Sequence, residues 1–333
     1  MKSAMKALIV GLGSAGKRHA RVLKEIVDVE IIALRRPASL RDKSFSRKCA
    51  IQELKDARYA ISKRPDFAII ANSTAHHIQT ALLLARAGIP FLLEKPVSSN
   101  MEGVDSLSVL VKRKKLPVLV GFQMRHHLGY KKMVQWVTEG RIGKPLHCHG
   151  YVGQYLPEWK PDSDYRKSYS ALKKMGGGVI LDLCHQIDIH CSLLGRGTEV
   201  ACICGRLSDL TIETEDSADI VIKHGKKSIS HIHLNYFERD YEWYTRVTGS
   251  EGTIIWDYGK GVVTLSRPGK ACKTWGTPRY FTRDELFTCQ MRHWLNVLSG
   301  KETPAVSLDE GIHATRLAIL AKKSSATGRC IAL

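Results

Sequence analysis

The sequence has no apolar run long enough to cross a membrane. Its longest, such as Phe67 to Ala71 and Val118 to Phe122, are strand-sized, well short of the ~18 residues a membrane helix needs. No apolar leader or cleavage site precedes the fold: Met1-Lys2-Ser3-Ala4-Met5-Lys6 runs straight into a strand and a glycine turn. A cytoplasmic protein without a membrane partner is the expectation. The nine cysteines include no C-x-x-C pair, and their odd number excludes a complete disulfide framework. Cys184, Cys191, Cys202 and Cys204 sit in apolar runs, where cysteine acts as a small hydrophobe. Internal repeats and low-complexity linkers are missing too. Acidic residues are scarce, 32 against 51 Lys and Arg, so the formal net charge is +19 and anionic ligands are favoured. The basic residues are spread along the chain, and the densest run, Lys112 to Lys115, ends a predicted helix. No nucleic-acid recognition motif accompanies them, so no nucleic-acid partner is expected.

What remains is an ordinary globular composition, 44% hydrophobic and 25% charged over 333 residues, long enough for two cores. The pattern predicts α/β structure: an N-terminal Rossmann-type doubly wound parallel sheet over 1–122, then an α+β domain over 123–333. The second domain is expected to carry a large, mostly antiparallel sheet, with a last helix that packs back on the first domain. In the first part, continuous apolar strands (7–10, 29–34, 67–71, 91–93, 118–122) alternate with helices to about Val27 and over 53–63, 76–87 and 100–114. That alternation signals a parallel sheet covered on both faces. Beyond Tyr130 strands dominate (146–151, 200–206, 217–223, 228–237, 242–248, 252–256, 262–266), and the helices are 130–139, 178–194, 283–298 and 308–323.

Gly11-Leu12-Gly13-Ser14-Ala15-Gly16 follows the first strand and opens a helix. In that setting G-x-G-x-x-G is a dinucleotide-binding turn: tight at the first glycine, open to a pyrophosphate at the second, and close-packed at the third, with amide donors at the helix N-terminus. The second strand ends in Arg35-Arg36, followed by Ser39 and Arg41, where an NAD site usually has Asp or Glu. Guanidiniums attract a 2′-phosphate and a carboxylate repels it. The expected cofactor is therefore NADP(H), with NAD(H) as the alternative.

Two further groups carry chemistry. Glu94-Lys95-Pro96 ends a strand at the carboxyl edge of the predicted sheet, and Gly176-Gly177-Gly178 opens a helix bearing Asp182, His185 and Asp188 at intervals of three. Oxidising a carbinol requires removal of its hydroxyl proton as hydride leaves, and a lysine of lowered proton affinity or a histidine serves at neutral pH.

With these motifs, the chain resembles the Gfo/Idh/MocA family, which includes glucose-fructose oxidoreductase and inositol 2-dehydrogenase. The resemblance spans nearly the whole sequence: the glycine turn with His19, Asn72-Ser73-Thr74-Ala75-His76-His77, Glu94-Lys95-Pro96, Gly121-Phe122-Gln123-Met124-Arg125, Gly140-Arg141-Ile142-Gly143 and the triple-glycine helix. It implies that Lys95 is catalytic, that His185 exchanges a proton with the substrate hydroxyl, and that Asp182 stands beside it. It also implies that Gly11, Gly13, Ser14, Ala15, Gly16, Arg35, Arg36, Asn72, Ser73, Thr74, His77, Glu94, Lys95 and Gln123 line the cofactor site. The family usually separates Asp and His by four positions. Here they are three apart, and one deleted residue turns a helix by ~100°, so either the helix adjusts locally or the two residues divide the work differently.

The aromatic, polar loop from Tyr155 to Tyr169 suits a sugar, especially an acidic one. Trp159, Tyr165 and Arg166 are expected near the substrate, with Lys95, Arg125, Asp182 and His185. His147/His149 and His231/His233 have strand spacing without further ligands, so no metal is expected. The resulting expectation is an NAD(P)-dependent oxidoreductase acting on a carbinol or ketone of a sugar, cyclitol or nucleotide-sugar. The alternatives are a non-catalytic dinucleotide-sensing regulator and a basic nucleic-acid binder. By resemblance, subunits pair as a homodimer or homotetramer through the C-terminal sheet.

Overall fold

The computed structural model describes residues 5–35, 43–159, 161 and 163–333. Arg36, Ser39, Arg41, Lys160 and Asp162 lie outside the described residues. The chain forms two compact units, 1–123 with 282–312, and 124–281 with 313–333.

The first unit contains β1 (Met5–Val10), α1 (Ser14–Ile26), β2 (Val29–Leu34), α2 (Ser44–Lys48), β3 (Gln52–Leu54) and α3 (Ala57–Ser62). It continues through β4 (Phe67–Ile70), α4 (His77–Arg86), β5 (Phe91–Glu94), α5 (Val104–Lys114) and β6 (Val118–Gly121). The strands form one parallel sheet in the order β3-β2-β1-β4-β5-β6. Every residue of β4, β5 and β6 is buried, because helices cover both faces and leave no strand a solvent side. The chain leaves β1 for β2 on one side and reaches β4 on the other. The carboxyl ends of β1 and β4 therefore flank the switch point where such sheets hold ligands.

One prediction about this unit needs correction. The helix expected over 53–63 begins only at α3, where the Asp56 carboxylate caps it by accepting from the Tyr59 amide at 2.6 Å. Residues 52–54 instead extend the sheet as β3, which places Glu53 beside β2. The penultimate helix, α9 (Arg283–Leu298), belongs to this unit, and so does the start of the last helix, up to Ile312. Phe287, Met291 and Trp294 of α9 join Ile9, Ile31, Phe67 and Leu92 in one apolar cluster, with Trp294 edge-on to Phe67 at 6.2 Å.

The second unit holds α6 (Leu128–Thr138), β7 (Pro145–Gly153), α7 (Val179–Asp182), α8 (His185–Leu194) and β8 (Glu199–Gly205). It continues with β9 (Ser217–His224), β10 (Ser228–Asn235), β11 (Glu242–Gly249), β12 (Thr253–Asp257), β13 (Val262–Arg267) and β14 (Lys270–Gly276). The end of α10 (Leu308–Thr327) and β15 (Ile331–Ala332) complete it. Nine strands form a mixed sheet, β14-β13-β12-β11-β7-β10-β9-β8-β15, in which only β7 and β10 run parallel. Ala218, Ile220 and Ile222 of β9 are buried, whereas Asp219, Val221 and Lys223 are exposed; α7 and α8 pack against the sheet. His149 of β7 stacks on His231 of β10 at 5.0 Å, and Tyr151 on His233 at 5.0 Å.

Candidate active site

In the first unit, the loops at the carboxyl ends of β1, β4 and β5 lie together at one sheet edge. Gly11 has φ +93°, and a Cβ there would lie 2.8 Å from the Ala71 carbonyl oxygen and the Asn72 Cα. The loop after β4 thus presses directly on the glycine turn. Gly13 caps α1 with no side-chain hydrogen bond, the first turn carries no acidic residue, and the space around Gly13 is open. Ser14, Ala15 and Gly16 then present the orphan amides of a helix N-terminus, which fit the pyrophosphate of a dinucleotide.

His77 ties the other two loops together. Its Nδ1 lies 2.8 Å from the Pro96 carbonyl oxygen and its Nε2 3.1 Å from that of Asn72. Burial lowers its proton affinity and outweighs the two carbonyls that favour the charged ring. The Asn72 amide donates to Thr80 Oγ1 at 3.0 Å, Ser73 caps the short 3₁₀ turn that follows, and Thr74 is buried within it. The Lys95–Pro96 peptide is cis. Gln123 opens another 3₁₀ turn after β6.

Arg35, expected at the 2′-phosphate, has a different partner. It is 8% exposed, and its Nη1 donates to Glu53 Oε1 at 2.6 Å. Ser46 Oγ donates to the same oxygen. Burial alone would raise the Glu53 carboxyl, but the Ser46 and Arg35 bonds hold it below its usual range. Sequence reasoning missed this pair because it placed Glu53 in a helix.

In the second unit the predicted helix 178–194 breaks. Asp182 ends α7, Leu183 departs from helical backbone at φ −99° and ψ 20°, and Cys184 caps α8, which begins at His185. The ~100° turn per residue therefore does not carry across from Asp182 to His185, and the shortened spacing sets no helical phase between them. Asp182 is buried and accepts from Ser170 Oγ at 2.5 Å and from the Tyr236 hydroxyl at 3.1 Å. Burial and the neighbouring Asp182 charge keep Tyr236 protonated well above the usual phenol range. Trp159 stands edge-on to Tyr236 at 5.3 Å, so one residue of the predicted aromatic loop does reach the Asp182 cluster. Tyr165 accepts from the Thr211 amide at 3.2 Å, and the exposed Arg166 is held by Asp164 of its own turn at 2.8 Å.

Arg125 is also engaged. It donates to both Asp188 oxygens at 2.7 and 2.9 Å, and to the Tyr130 hydroxyl at 3.0 Å. This bidentate ion pair joins the segment before α6 to α8. The buried His185 ring lies 5.9 Å from Trp243, which packs on Tyr258 at 5.2 Å. Tyr258, Trp256 and Phe281 each lie 5.1 Å from His127. Sequence reasoning missed Ser170, Tyr236 and Trp243, which come from separate segments without any shared spacing. Among the described residues, no group of three or more His, Cys, Asp or Glu is placed to hold a metal ion, and no helix is long and apolar enough to cross a membrane.

The aromatic box has a consequence for acid stability. Burial pushes His127 from 6.5 down to about 4. The unfolded chain therefore binds a proton at higher pH than the folded one, and stability falls as pH drops from about 6.5 toward 4. Moving from pH ~7 to pH ~5 is expected to cost about 2 kcal/mol through this residue. Denaturant melts of wild type and His127→Phe check it: the variant should lose distinctly less stability over that interval, and equal losses would exclude His127 as the source.

Residues 5–122 match the family model described as "Oxidoreductase family, NAD-binding Rossmann fold", and residues 130–255 match the GFO/IDH/MocA C-terminal domain. The chain belongs to the Gfo/Idh/MocA family. Members similar to it include myo-inositol 2-dehydrogenase of Thermotoga maritima, 26% identical with 99% of this chain and 98% of the relative covered. Another is the scyllo-inositol 2-dehydrogenase (NAD(+)) of Bacillus subtilis, 23% identical over 95% and 94%. The crystal structure of an NAD binding oxidoreductase from Klebsiella pneumoniae shares the fold, with a TM-score of 0.86, 15% identity and 99% coverage of both chains. As a member of this family the chain is an oxidoreductase with an NAD-binding Rossmann domain, and the catalytic reading holds over the regulator.

Proposed function

We propose that the protein is a dehydrogenase or reductase acting on a secondary carbinol of a cyclitol or sugar, with Lys95 as its proton-transferring group. The observation that carries this reading is the position of Lys95. It directly follows β5, at the same sheet edge as the open glycine turn and immediately after the buried carboxylate of Glu94. A bound nicotinamide supplies the hydride acceptor or donor. Lys95 takes the hydroxyl proton during oxidation and returns one during reduction. Asp182 is fixed by Ser170 and Tyr236 and serves as an oriented acceptor for a substrate hydroxyl. His185 is assigned to exchange a proton with the substrate hydroxyl, while Trp243 and Trp159 offer apolar faces suited to a sugar ring. Arg125, already paired with Asp188, acts as a support. Tyr165 and Arg166 form the rim of the substrate loop.

Gly11, Gly13, Ser14, Ala15 and Gly16 would hold the pyrophosphate, and Asn72, Ser73, Thr74, His77, Glu94 and Gln123 the remainder of the cofactor. NAD(H) is the cofactor favoured here, because Arg35 already shares its charge with Glu53. The NADP(H) preference then rests on Arg36. The outer face of the nine-stranded sheet, where Val221 and Ile229 are half-exposed, is the surface assigned to a homodimer or homotetramer.

Two measurements test the proposal. Titration of nicotinamide fluorescence should give a lower Kd for NADH than for NADPH by about tenfold or more, the effect of one unfavourable charge contact. Turnover should then appear with NAD⁺ across a panel of inositols and aldoses. Cofactor binding without turnover on any member would contradict the assigned substrate class.

A further inference from the structure

We infer that His19 is a positioning residue for the reaction: its Nε2–H fixes Glu94 as a carboxylate beside Lys95, and that carboxylate sets the proton affinity of the lysine. The inference rests on Lys95 being the proton-transferring group, as proposed above.

His19 lies on α1, shortly after the glycine turn, and is completely buried. Its Nε2 is 2.6 Å from Glu94 Oε1, while its Nδ1 has no hydrogen-bond partner among the described residues. Among those residues the carboxylate is therefore the hydrogen-bonding anchor of this ring. Phe287 of α9 meets the ring edge-on at 5.9 Å, so packing from a distant part of the chain fixes its tilt. Glu94 is as tightly confined. Its Oε2 accepts from the Lys95 amide at 3.3 Å, and a Cβ on Gly121 would lie 3.2 Å from that same oxygen.

Burial alone would push the Glu94 carboxyl above its usual range. The His19 hydrogen bond, followed by the charges of His19, Lys95 and His77, reverses this and holds it below the usual carboxylate range. The groups facing it are His19 and Arg18 from α1, His77 from α4 and Lys95 on its own turn. His19 supplies a direct side-chain hydrogen bond to the carboxylate. A buried negative charge one residue from Lys95 favours the ammonium form, so loss of that charge lets the free amine appear at lower pH. Removal of His19 should act in the same direction, because an unsupported buried carboxylate takes up a proton.

The test follows the Lys95 amine itself. The full chain is trace-labelled with acetic anhydride across a pH series, and labelling of the Lys95 peptide is measured by mass spectrometry against a free-amine standard. Glu94→Gln, which keeps the side-chain shape, should move the labelling midpoint to lower pH by about one unit or more. His19→Leu should move it in the same direction. His19→Gln, whose amide N–H reaches toward the same oxygen, should return it close to wild type. The double variant Glu94→Gln/His19→Leu should shift no further than Glu94→Gln alone. An unmoved midpoint in Glu94→Gln would overturn the inference. So would a shift in Glu94→Gln with none in His19→Leu, because a purely structural His19 would lower stability and leave the lysine midpoint in place. Turnover of Lys95→Ala is read separately: wild-type turnover there defeats the assignment of Lys95, whatever the labelling shows.

Discussion

Lys95→Ala is expected to lower turnover about 10³-fold while changing the Kd for NADH by no more than about threefold. A positioned acid or base typically contributes 10²–10⁴-fold, and no second lysine occupies that turn to replace it. Steady-state turnover and nicotinamide fluorescence, measured on the same preparation, separate the two quantities. The backbone that would cradle the cofactor lies after β1 and β4, so truncating a side chain at the end of β5 leaves it intact. Lys95→Arg should rescue little, since a guanidinium stays protonated at any working pH. Loss of cofactor binding in parallel with turnover would instead make Lys95 an anchor for the dinucleotide.

Gly13→Ala and Gly16→Ala should fail in opposite ways. At Gly13 the backbone is ordinary, φ −73°, and nothing lies within 4 Å of an added Cβ. The alanine variant should fold with stability within ~0.5 kcal/mol of wild type. Its new methyl group stands where the backbone must approach the pyrophosphate, so its Kd for NADH should rise about tenfold to a hundredfold. At Gly16 the added Cβ would lie 1.9 Å from the Gly11 carbonyl oxygen. That clash forces the helix away from the turn and should cost about 3 kcal/mol or more. Thermal melts and cofactor titrations distinguish the two variants. A destabilised Gly13→Ala with normal affinity would mean that the turn is structural and holds no dinucleotide.

The contrast between these glycines shows what the sequence makes visible. The parallel sheet is legible because β4, β5 and β6 are buried throughout and therefore read as apolar runs, broken only by Glu94 at the end of β5. Strand β14 is not, because Lys270 to Gly276 is almost wholly exposed at the sheet edge, with no buried face to impose alternation. β3 is three residues long, too short to carry a period. The site follows the same rule. Lys95 and the glycine turn are local signals at strand ends, readable from spacing alone. Ser170 and Tyr236 converge on Asp182 only because the sheet of the second unit brings separate segments together, and no sequence spacing encodes that. Arg35 is a local signal that misleads: its charge is plain in the sequence, but its partner Glu53 comes from a neighbouring strand whose pattern reads as helix.

Hydride transfer itself can be observed before the physiological substrate is identified. Inositols and aldoses deuterated at their carbinol carbons are incubated with NAD⁺ and the wild-type chain, and the recovered nicotinamide is examined by mass spectrometry. Deuterium delivered to the nicotinamide ring by wild type, and reduced about 10³-fold by Lys95→Ala, is the expected result. NADH that forms without deuterium, or cofactor that binds tightly and is never reduced, would contradict the account.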